Sequence, residues 1–215
     1  MNTGSKKRFM IFIAIIGWFA LILQFYLITR KTALTGFSTG KLVTNYFSYF
    51  TILSNIFAIV SITVQLMAPS GKLGKFFSGS SVQSAIALYI AIVGIVYNTV
   101  LRFVWDFEGW DRVANELLHV VVPVLYFIYW YLYVPKGTLK WKQSIVWLIF
   151  PLIYIIYSLI RGPIADWYPY FFINVKQLGY STAYTYMFFV FVAFLVVGLL
   201  IVWIDGRMGK KKVAG

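Results

Sequence analysis

The chain has 215 residues, of which 61% are hydrophobic and only 12% are charged, and its formal net charge is +13. Soluble domains average roughly 25% charged residues, so a soluble globule of this chain would expose much of its apolar surface, and we predict an integral membrane protein instead. The chain has no cysteine and one histidine, which excludes a disulfide framework, a thiol nucleophile and a multi-histidine metal centre. We predict no metal and no cofactor. We also predict no nucleic-acid partner, because the basic residues lie between apolar runs, where membrane topology explains them.

Long apolar runs predict an all-α bundle of six transmembrane helices with short loops, forming one transmembrane domain over residues 1–215. A helix of about 20 apolar residues crosses roughly 30 Å of hydrocarbon while satisfying its own backbone. Turn-forming residues separate several runs, at 69–71, 135–137 and 162–163. The predicted spans are residues 9–28, 45–67, 82–104, 115–133, 142–160 and 180–204.

The basic residues are distributed unevenly between the two sides of this predicted bundle. Twelve fall at the N-terminus, the second and fourth loops and the C-terminus, whereas seven fall in the first, third and fifth loops and the adjoining helix ends. Because Lys and Arg favour the cytoplasmic side, we predict a multipass protein of the cell membrane with both termini in the cytoplasm. Four of the six acidic residues cluster in and beside the third loop: Asp106, Glu108, Asp111 and Glu116.

Polar residues begin the second predicted span, where lipid would favour apolar side chains. Helical spacing places Ser48, Thr51 and Asn55 on one stripe. Such a stripe faces protein or water rather than lipid. Two interpretations stay open at this point: helix packing through small and hydroxylated residues, or a site that binds a substrate and acts on it.

The third and fifth spans end in arginine on the predicted outer side, at Arg102 and Arg161. Either guanidinium could hold the carboxylate of a ligand through two parallel hydrogen bonds. The alternative is snorkelling to the membrane interface or pairing with Asp106 and Asp166. Asn98 lies one turn deeper than Arg102 and would continue a polar path into the bundle.

The fourth span contains the only histidine of the chain, His119. A histidine inside a membrane span usually faces the bundle interior and needs a partner, either for a packing hydrogen bond or for function. Thr51 and His119 lie about six and about four residues inside their spans, hence roughly 9 Å and roughly 6 Å below the same outer boundary. They can meet if the second and fourth helices are neighbours.

A threonine hydroxyl becomes a useful nucleophile only when an adjacent base removes its proton, and a neutral imidazole is the usual base. We therefore predict Thr51 and His119 as a catalytic nucleophile and base. Because N–H groups within a helix are already bonded, an oxyanion would need the side chain of Ser48 or Asn55, or the first turn of the fourth helix.

Three short motifs occur in a fixed order along the chain. They are Tyr49-Phe50-Thr51-Ile52-Leu53-Ser54-Asn55, then His119 leading a helix with Pro123, then Trp167-Tyr168-Pro169 before the last span. In these motifs the chain resembles the androgen-induced and androgen-dependent membrane hydrolases, as a divergent, bacterial-type member. The resemblance implies a multipass threonine hydrolase that cleaves fatty acid esters of hydroxy fatty acids, with Thr51 as nucleophile, His119 as its histidine partner and a lipid ester as substrate.

Two other functions compete with the esterase. In a lipid-binding or transport protein without enzymatic activity, the same polar residues would bind a lipid headgroup, and the cavity would lack a reactive alignment. In a membrane scaffold, the polar residues would only join helices. The esterase hypothesis predicts a cavity that contains both Thr51 and His119. The oligomeric state stays open.

Overall fold

The computed structural model describes residues 3–35 and 38–213, without the side chains of 32–35 and 211–213. Lys211 and Lys212, which enter the charge balance above, therefore lie outside the described side chains. The described part of the chain is helical and contains no strand, which confirms the all-α prediction. Six helical stretches are long and apolar enough to cross a membrane: Thr3–Lys31, Phe50–Met67, Ser80–Phe103, Gly109–Tyr133, Trp141–Ala165 and Tyr180–Lys210.

Short breaks divide several of these stretches, so the helices are more numerous than the spans. The α-helices are α1 Thr3–Thr35, α2 Thr39–Tyr46, α3 Phe50–Met67, α4 Lys72–Ser78, α5 Ser80–Thr99, α6 Gly109–Glu116, α7 Val122–Tyr133, α8 Trp141–Val146, α9 Ile149–Ala165, α10 Val175–Leu178 and α11 Tyr180–Val213. A 3-10 turn, Leu101–Phe103, follows α5, and a second 3-10 turn, Phe171–Ile173, precedes α10. A π-helical turn, Leu117–Val121, joins α6 to α7.

The second span differs from its prediction at its start. The sequence predicted one helix over 45–67, but the structure ends α2 at Tyr46 and begins α3 at Phe50. The amides of Ser48 and Tyr49 make tight-turn bonds to the carbonyls of Asn45 and Tyr46 instead of continuing the helix. Thr51 is therefore the second residue of a helix, whereas the prediction placed it about two turns inside one.

The chain divides into two compact units, Met1–Pro135 and Lys136–Gly215. In the first unit α1 packs on α3, α3 packs on α5, and α5 packs on α7. Gly17 of α1 allows a close approach to α3, because a Cβ at this position would overlap the side chain of Ile59. Buried polar pairs tie the same helices together: Trp130 Nε1 donates to Ser84 Oγ at 2.7 Å, and the hydroxyls of Ser61 and Tyr126 lie 3.2 Å apart. Such interhelical bonds suit a membrane interior, where no water competes for them.

The second unit is built around α11. Helices α8, α9 and α10 and the 3-10 turn before α10 all pack against it. Asp166 ends α9 in the left-handed conformation with φ 48°, a backbone geometry that Asp tolerates better than most residues. Large apolar side chains point outward along α9 and α11, as lipid-facing surfaces require; the most exposed include Ile160, Ile164, Phe188 and Phe189.

Candidate functional site

The break before α3 gives Thr51 an unusual backbone position. The first hydrogen bond of the α3 ladder runs from the N–H of Leu53 to the carbonyl of Tyr49, at 3.2 Å. The amides of Thr51 and Ile52 precede this ladder and lie in the first turn, at the positive end of the helix dipole. The prediction assumed that the amides near Thr51 were consumed within a helix. The structure corrects this, because the first turn of α3 starts one residue before Thr51.

His119 lies in the π-helical turn Leu117–Val121, where the N–H of Val122 bonds the carbonyl of Leu117, five residues earlier. The next bond of this pattern would need an N–H at position 123, and Pro123 has none. The carbonyl of Leu118 therefore needs another donor. Single π-helical turns of this kind occur frequently at functional sites.

The side-chain amide of Asn55 supplies that donor. Its Nδ2 donates to the carbonyl of Leu118 at 3.1 Å and to the carbonyl of Thr51 at 2.8 Å. Because both neighbours are carbonyl oxygens, which only accept, the nitrogen and not the oxygen of the amide must face them. Asn55 was predicted as an oxyanion donor. Instead, both of its side-chain N–H groups bond backbone carbonyls and join the start of α3 to the π-helical turn.

Thr51 and His119 meet at hydrogen-bond distance. Thr51 Oγ1 lies 3.2 Å from His119 Nε2, and His119 Nδ1 lies 2.9 Å from the carbonyl oxygen of Asn115. Both side chains are buried, each with 6% of its surface exposed. Since a carbonyl oxygen can only accept, the Nδ1 of a neutral imidazole carries the proton, and Nε2 presents its lone pair to the threonine hydroxyl. This is the tautomer that a general base requires.

A polar network surrounds Tyr97, whose ring packs on the face of the histidine. The ring of Tyr97 stacks on His119 with centroids 4.5 Å apart. The Asn115 side chain donates to the hydroxyl of Tyr97 at 2.6 Å, and that hydroxyl donates to Glu116 Oε1 at 3.0 Å. Arg102 completes the network by donating from one nitrogen to both oxygens of Glu116. The carboxylate of Glu116 is thus linked to the histidine through Tyr97, whose ring stacks on the imidazole, and through Asn115, whose carbonyl faces Nδ1.

Arg102 was predicted to bind a ligand carboxylate, with pairing to Asp106 as the alternative. In the structure its guanidinium pairs with Glu116 and lies over the ring of Tyr97, 5.0 Å from the centroid. The exposed fraction of the Arg102 side chain is 42%, so the group remains accessible. Its charge is nevertheless already matched by a carboxylate of the same unit.

The side chains of Ser48 and Asn98 each donate to a backbone carbonyl four residues earlier. Ser48 is fully buried in the turn before α3, and its hydroxyl donates to the carbonyl of Thr44 at 2.6 Å. Asn98 is exposed, and its side chain donates back to the carbonyl of Gly94 in its own helix, so it forms no polar path into the bundle. The helical stripe that was to join Ser48 to Thr51 does not exist, because Ser48 precedes α3.

Arg161 belongs to the second unit, where its guanidinium lies over the ring of Trp167, 5.0 Å from the centroid. The predicted alternative was an ion pair with Asp166. That carboxylate pairs instead with Lys176, and this hydrogen bond raises the pKa of the Lys176 ammonium. The structure therefore gives Arg161 an aromatic contact within the second unit.

A cavity of about 200 Å³ opens beside the pair but does not contain it. Its lining includes Tyr97 and Asn115, which both contact His119, and Trp105, whose ring edge faces the histidine with centroids 6.3 Å apart. This cavity contains neither reactive side chain, and the expectation of one cavity that holds both stays a prediction. Tyr97 and Trp105 both line this cavity and contact the ring of His119. The full lining is Tyr97, Arg102, Trp105, Asp106, Phe107, Arg112, Asn115 and Glu116.

Several residues that contact His119 were not predicted from the sequence. The carbonyl of Asn115 orients the histidine, a role that the sequence did not assign, and Tyr97 and Trp105 pack against the ring. The spacing of Asn115 and His119, four residues apart, was a usable signal. Among the described residues, no group of three or more His, Asp and Glu is placed to hold a metal ion.

Comparison with known proteins gave no match: no family model, no curated protein and no solved structure is similar to this chain.

Proposed function

We propose that this chain is a multipass membrane hydrolase that cleaves lipid esters, with Thr51 as nucleophile and His119 as base. The observation that carries the proposal is the pairing of a buried hydroxyl with an imidazole lone pair, Thr51 Oγ1 to His119 Nε2 at 3.2 Å, with the tautomer fixed by a backbone carbonyl. A hydroxyl needs such a base to become nucleophilic. The resemblance in short motifs to membrane threonine hydrolases of fatty acid esters of hydroxy fatty acids points to the same substrate class.

The reaction proceeds in two halves. Thr51 Oγ1 attacks the ester carbonyl carbon as its proton moves to His119 Nε2, and the tetrahedral intermediate collapses when the leaving alkoxide oxygen takes that proton. This leaves an acyl-threonine and a free alcohol. A water molecule then attacks the acyl carbon, gives one proton to Nε2, and releases the carboxylic acid as that proton returns to Thr51 Oγ1.

The start of α3 provides the electrostatic support for this reaction. The amide of Ile52, directly after the nucleophile, precedes the hydrogen-bond ladder of α3 and lies at the positive helix end. Preorganised N–H groups at the position of a developing oxyanion commonly contribute about 10²–10³ in rate. We assign the oxyanion to this first turn rather than to Asn55 or Ser48, whose donors are bonded to backbone carbonyls.

In this proposal, substrate reaches the pair from the cavity when a side chain that lines the cavity and contacts His119 moves aside. Trp105 lies between the 3-10 turn and α6, and its ring lines the cavity and packs against the ring of His119. A swing of this side chain would open the cavity onto the imidazole. The orientation proposed from the basic residues places this cavity on the outer face of the cell membrane, with both termini in the cytoplasm.

A lipid-binding or transport role is the second candidate, and the cavity itself favours it. The cavity holds two arginines and two carboxylates but neither reactive side chain. A headgroup with both charges could bind there without any chemistry at Thr51. The two proposals differ in whether the hydroxyl of Thr51 is activated.

Covalent labelling of the full chain in detergent with an alkyl fluorophosphonate tests this difference. We expect wild type and Thr51→Ser to be labelled, Thr51→Ala to be silent, and His119→Ala to react about 10²–10⁴-fold more slowly. Thr63→Ala is the matched control, since Thr63 lies in the same helix and bonds Trp18 and its own backbone. Trp105→Ala should react faster than wild type.

Equal labelling of Thr51→Ala and wild type would contradict the hydrolase proposal. An absence of labelling in both folded wild type and Trp105→Ala would also contradict it. The second result would favour binding without catalysis.

A further inference from the structure

A second cavity lies in the second unit, at the end of the chain's last helix. Its volume is about 320 Å³, and it opens between α8 and the last turns of α11. The apolar part of the lining is Leu139, Trp141, Val202 and Trp203, and the charged part is Arg207 and Lys210. None of these residues takes part in the site of the first unit.

Among the described residues, neither cation of this cavity has a carboxylate within ion-pair distance. The ion pairs among the described residues are Lys31–Asp111, Arg102–Glu116 and Lys176–Asp166. The acidic residue closest in sequence, Asp205, is 1% exposed, and its Oδ2 accepts the backbone N–H groups of Gly137 and Leu139 at 3.0 Å and 2.9 Å. Its carboxylate is therefore committed to holding the loop. The cavity has an unbalanced positive charge.

Close glycine packing and backbone hydrogen bonds join the two segments beside the cavity. Gly209 of α11 packs directly on Gly137, so that a Cβ on Gly209 would overlap the Gly137 backbone, and Gly137 adopts a φ of +81° that favours glycine. The amide of Gly137 also bonds the carbonyl of Asp205. The guanidinium of Arg207 lies over the ring of Trp203, 5.2 Å from its centroid. This contact holds the face of the guanidinium and leaves its N–H edge for a ligand.

The cavity falls at the depth of a membrane interface. Helix α11 has 34 residues, whereas about 20 are enough to cross the hydrocarbon, so its last turns reach the headgroup region. Two tryptophans mark the same depth, as interfacial belts do. Three further lysines follow in the adjoining segment, at positions 136, 140 and 142. A lining of apolar side chains and two cations matches an acyl chain that ends in a phosphate.

The geometry points to a binding site for the headgroup of an anionic phospholipid at Trp141, Trp203, Arg207 and Lys210. Arg207 binds the phosphate oxygens with two N–H groups and Lys210 binds them as a point charge, while Trp203 and Val202 contact the first part of an acyl chain. Basic pockets at the ends of membrane helices are a known mode of acidic-lipid recognition. The inference rests on the proposed membrane insertion but not on hydrolysis at Thr51.

Native mass spectrometry of the full chain in detergent tests this site with dioctanoyl phosphatidylglycerol and dioctanoyl phosphatidylcholine as probes. We expect wild type to bind the anionic lipid at least about tenfold more tightly than the zwitterionic one, and R207Q/K210Q to lose that preference. K72Q/K75Q, in α4 of the first unit, removes the same charge and should keep it. The charge-preserving variant R207K/K210R should keep most of it, which separates lost charge from lost folding.

Three results would overturn the site: equal binding of the two lipids by wild type, equal loss in R207Q/K210Q and K72Q/K75Q, or displacement of the anionic lipid by an equal concentration of inorganic phosphate. The last result would mean that the cavity takes a free anion rather than a lipid. If the two sites are independent, R207Q/K210Q leaves fluorophosphonate labelling of Thr51 unchanged. Failure of the lipid site is therefore distinguishable from failure of the hydrolase proposal.

Discussion

The two nitrogens of His119 face different kinds of atom, and this difference sets its chemistry. Nδ1 faces a carbonyl oxygen that can only accept, and Nε2 faces a hydroxyl that can donate. A backbone carbonyl does not titrate, so it fixes the tautomer at any pH at which the ring is neutral. The catalytic triads of hydrolases commonly give this role to a carboxylate. Here the nearest carboxylate, Glu116, is connected through Tyr97 and Asn115 instead.

This tautomer can be observed directly because the chain has a single histidine. In protein labelled with ¹⁵N only at histidine, we expect Nδ1 to carry the proton and Nε2 to show the shift of an unprotonated nitrogen that accepts a hydrogen bond. Thr51→Val should move the Nε2 signal alone, since it removes the hydroxyl and preserves the volume. A proton found on Nε2 would mean that the histidine donates to Thr51, which contradicts the base.

Asn55 is the residue whose loss should weaken the site most without touching a reactive atom. Asn55→Ala removes the side-chain donor of the buried Leu118 carbonyl, which Pro123 cannot replace because it has no N–H, and we expect it to lower the free energy of unfolding in detergent by about 1–3 kcal/mol. Asn98→Ala is the matched control, because Asn98 is exposed and bonds only its own helix. Its effect should stay within about 0.5 kcal/mol. Equal destabilisation by the two variants would remove the joining role of Asn55.

The sequence was sufficient to choose Thr51 and His119, since a hydroxyl and the only histidine at similar depth suggest a meeting. It was insufficient for Asn55, Arg102 and Tyr97. An asparagine amide serves equally as an oxyanion donor or as a backbone clamp, and only the positions of the carbonyls decide between them. For Arg102, the sequence offered Asp106 as a partner, but Glu116 enters from the next helix.

At the scale of helices, the sequence predicted the spans and missed their interruptions. The predicted second span runs through Tyr46, Phe47 and Tyr49, and aromatic residues give no sign of a turn because glycine and proline are absent there. A π-helical turn is also invisible to periodicity, since it inserts one residue into a helix whose apolar pattern continues. The helix ends extend beyond the predictions, as in α11, because the last turns are polar and hydropathy excludes them.

Gly94 tests whether the π-helical turn needs its close contact with α5. A Cβ at this position would lie 3.3 Å from the carbonyl oxygen of His119 and 3.4 Å from Cβ of Pro123. Gly94→Ala should push the two helices apart, destabilise the protein by about 1–3 kcal/mol and reduce labelling of Thr51. Gly40→Ala, where a Cβ meets no atom within 4 Å, should be neutral or stabilising. Unchanged labelling of Gly94→Ala would show that the position of His119 tolerates this shift.

At the scale of the whole chain, charge and hydropathy are the properties that bear on membrane placement. Six stretches have the length and composition to cross a bilayer, and an even number of crossings puts both termini on the same side. In the proposed topology the cytoplasmic side is the one whose loops and termini hold twelve of the 19 basic residues, whereas the loops and helix ends of the other side hold seven.

The absence of cysteine makes this topology testable without a background, since each introduced cysteine is the only thiol in the chain. With a membrane-impermeant maleimide on intact cells, Glu108→Cys and Gln177→Cys should be labelled, whereas Ser70→Cys and Thr138→Cys should react only after permeabilisation. All four positions are exposed in the structure. The reverse pattern would place the pair Thr51–His119 at the cytoplasmic face and its substrate in the inner leaflet. Labelling that differs within either pair would contradict six crossings.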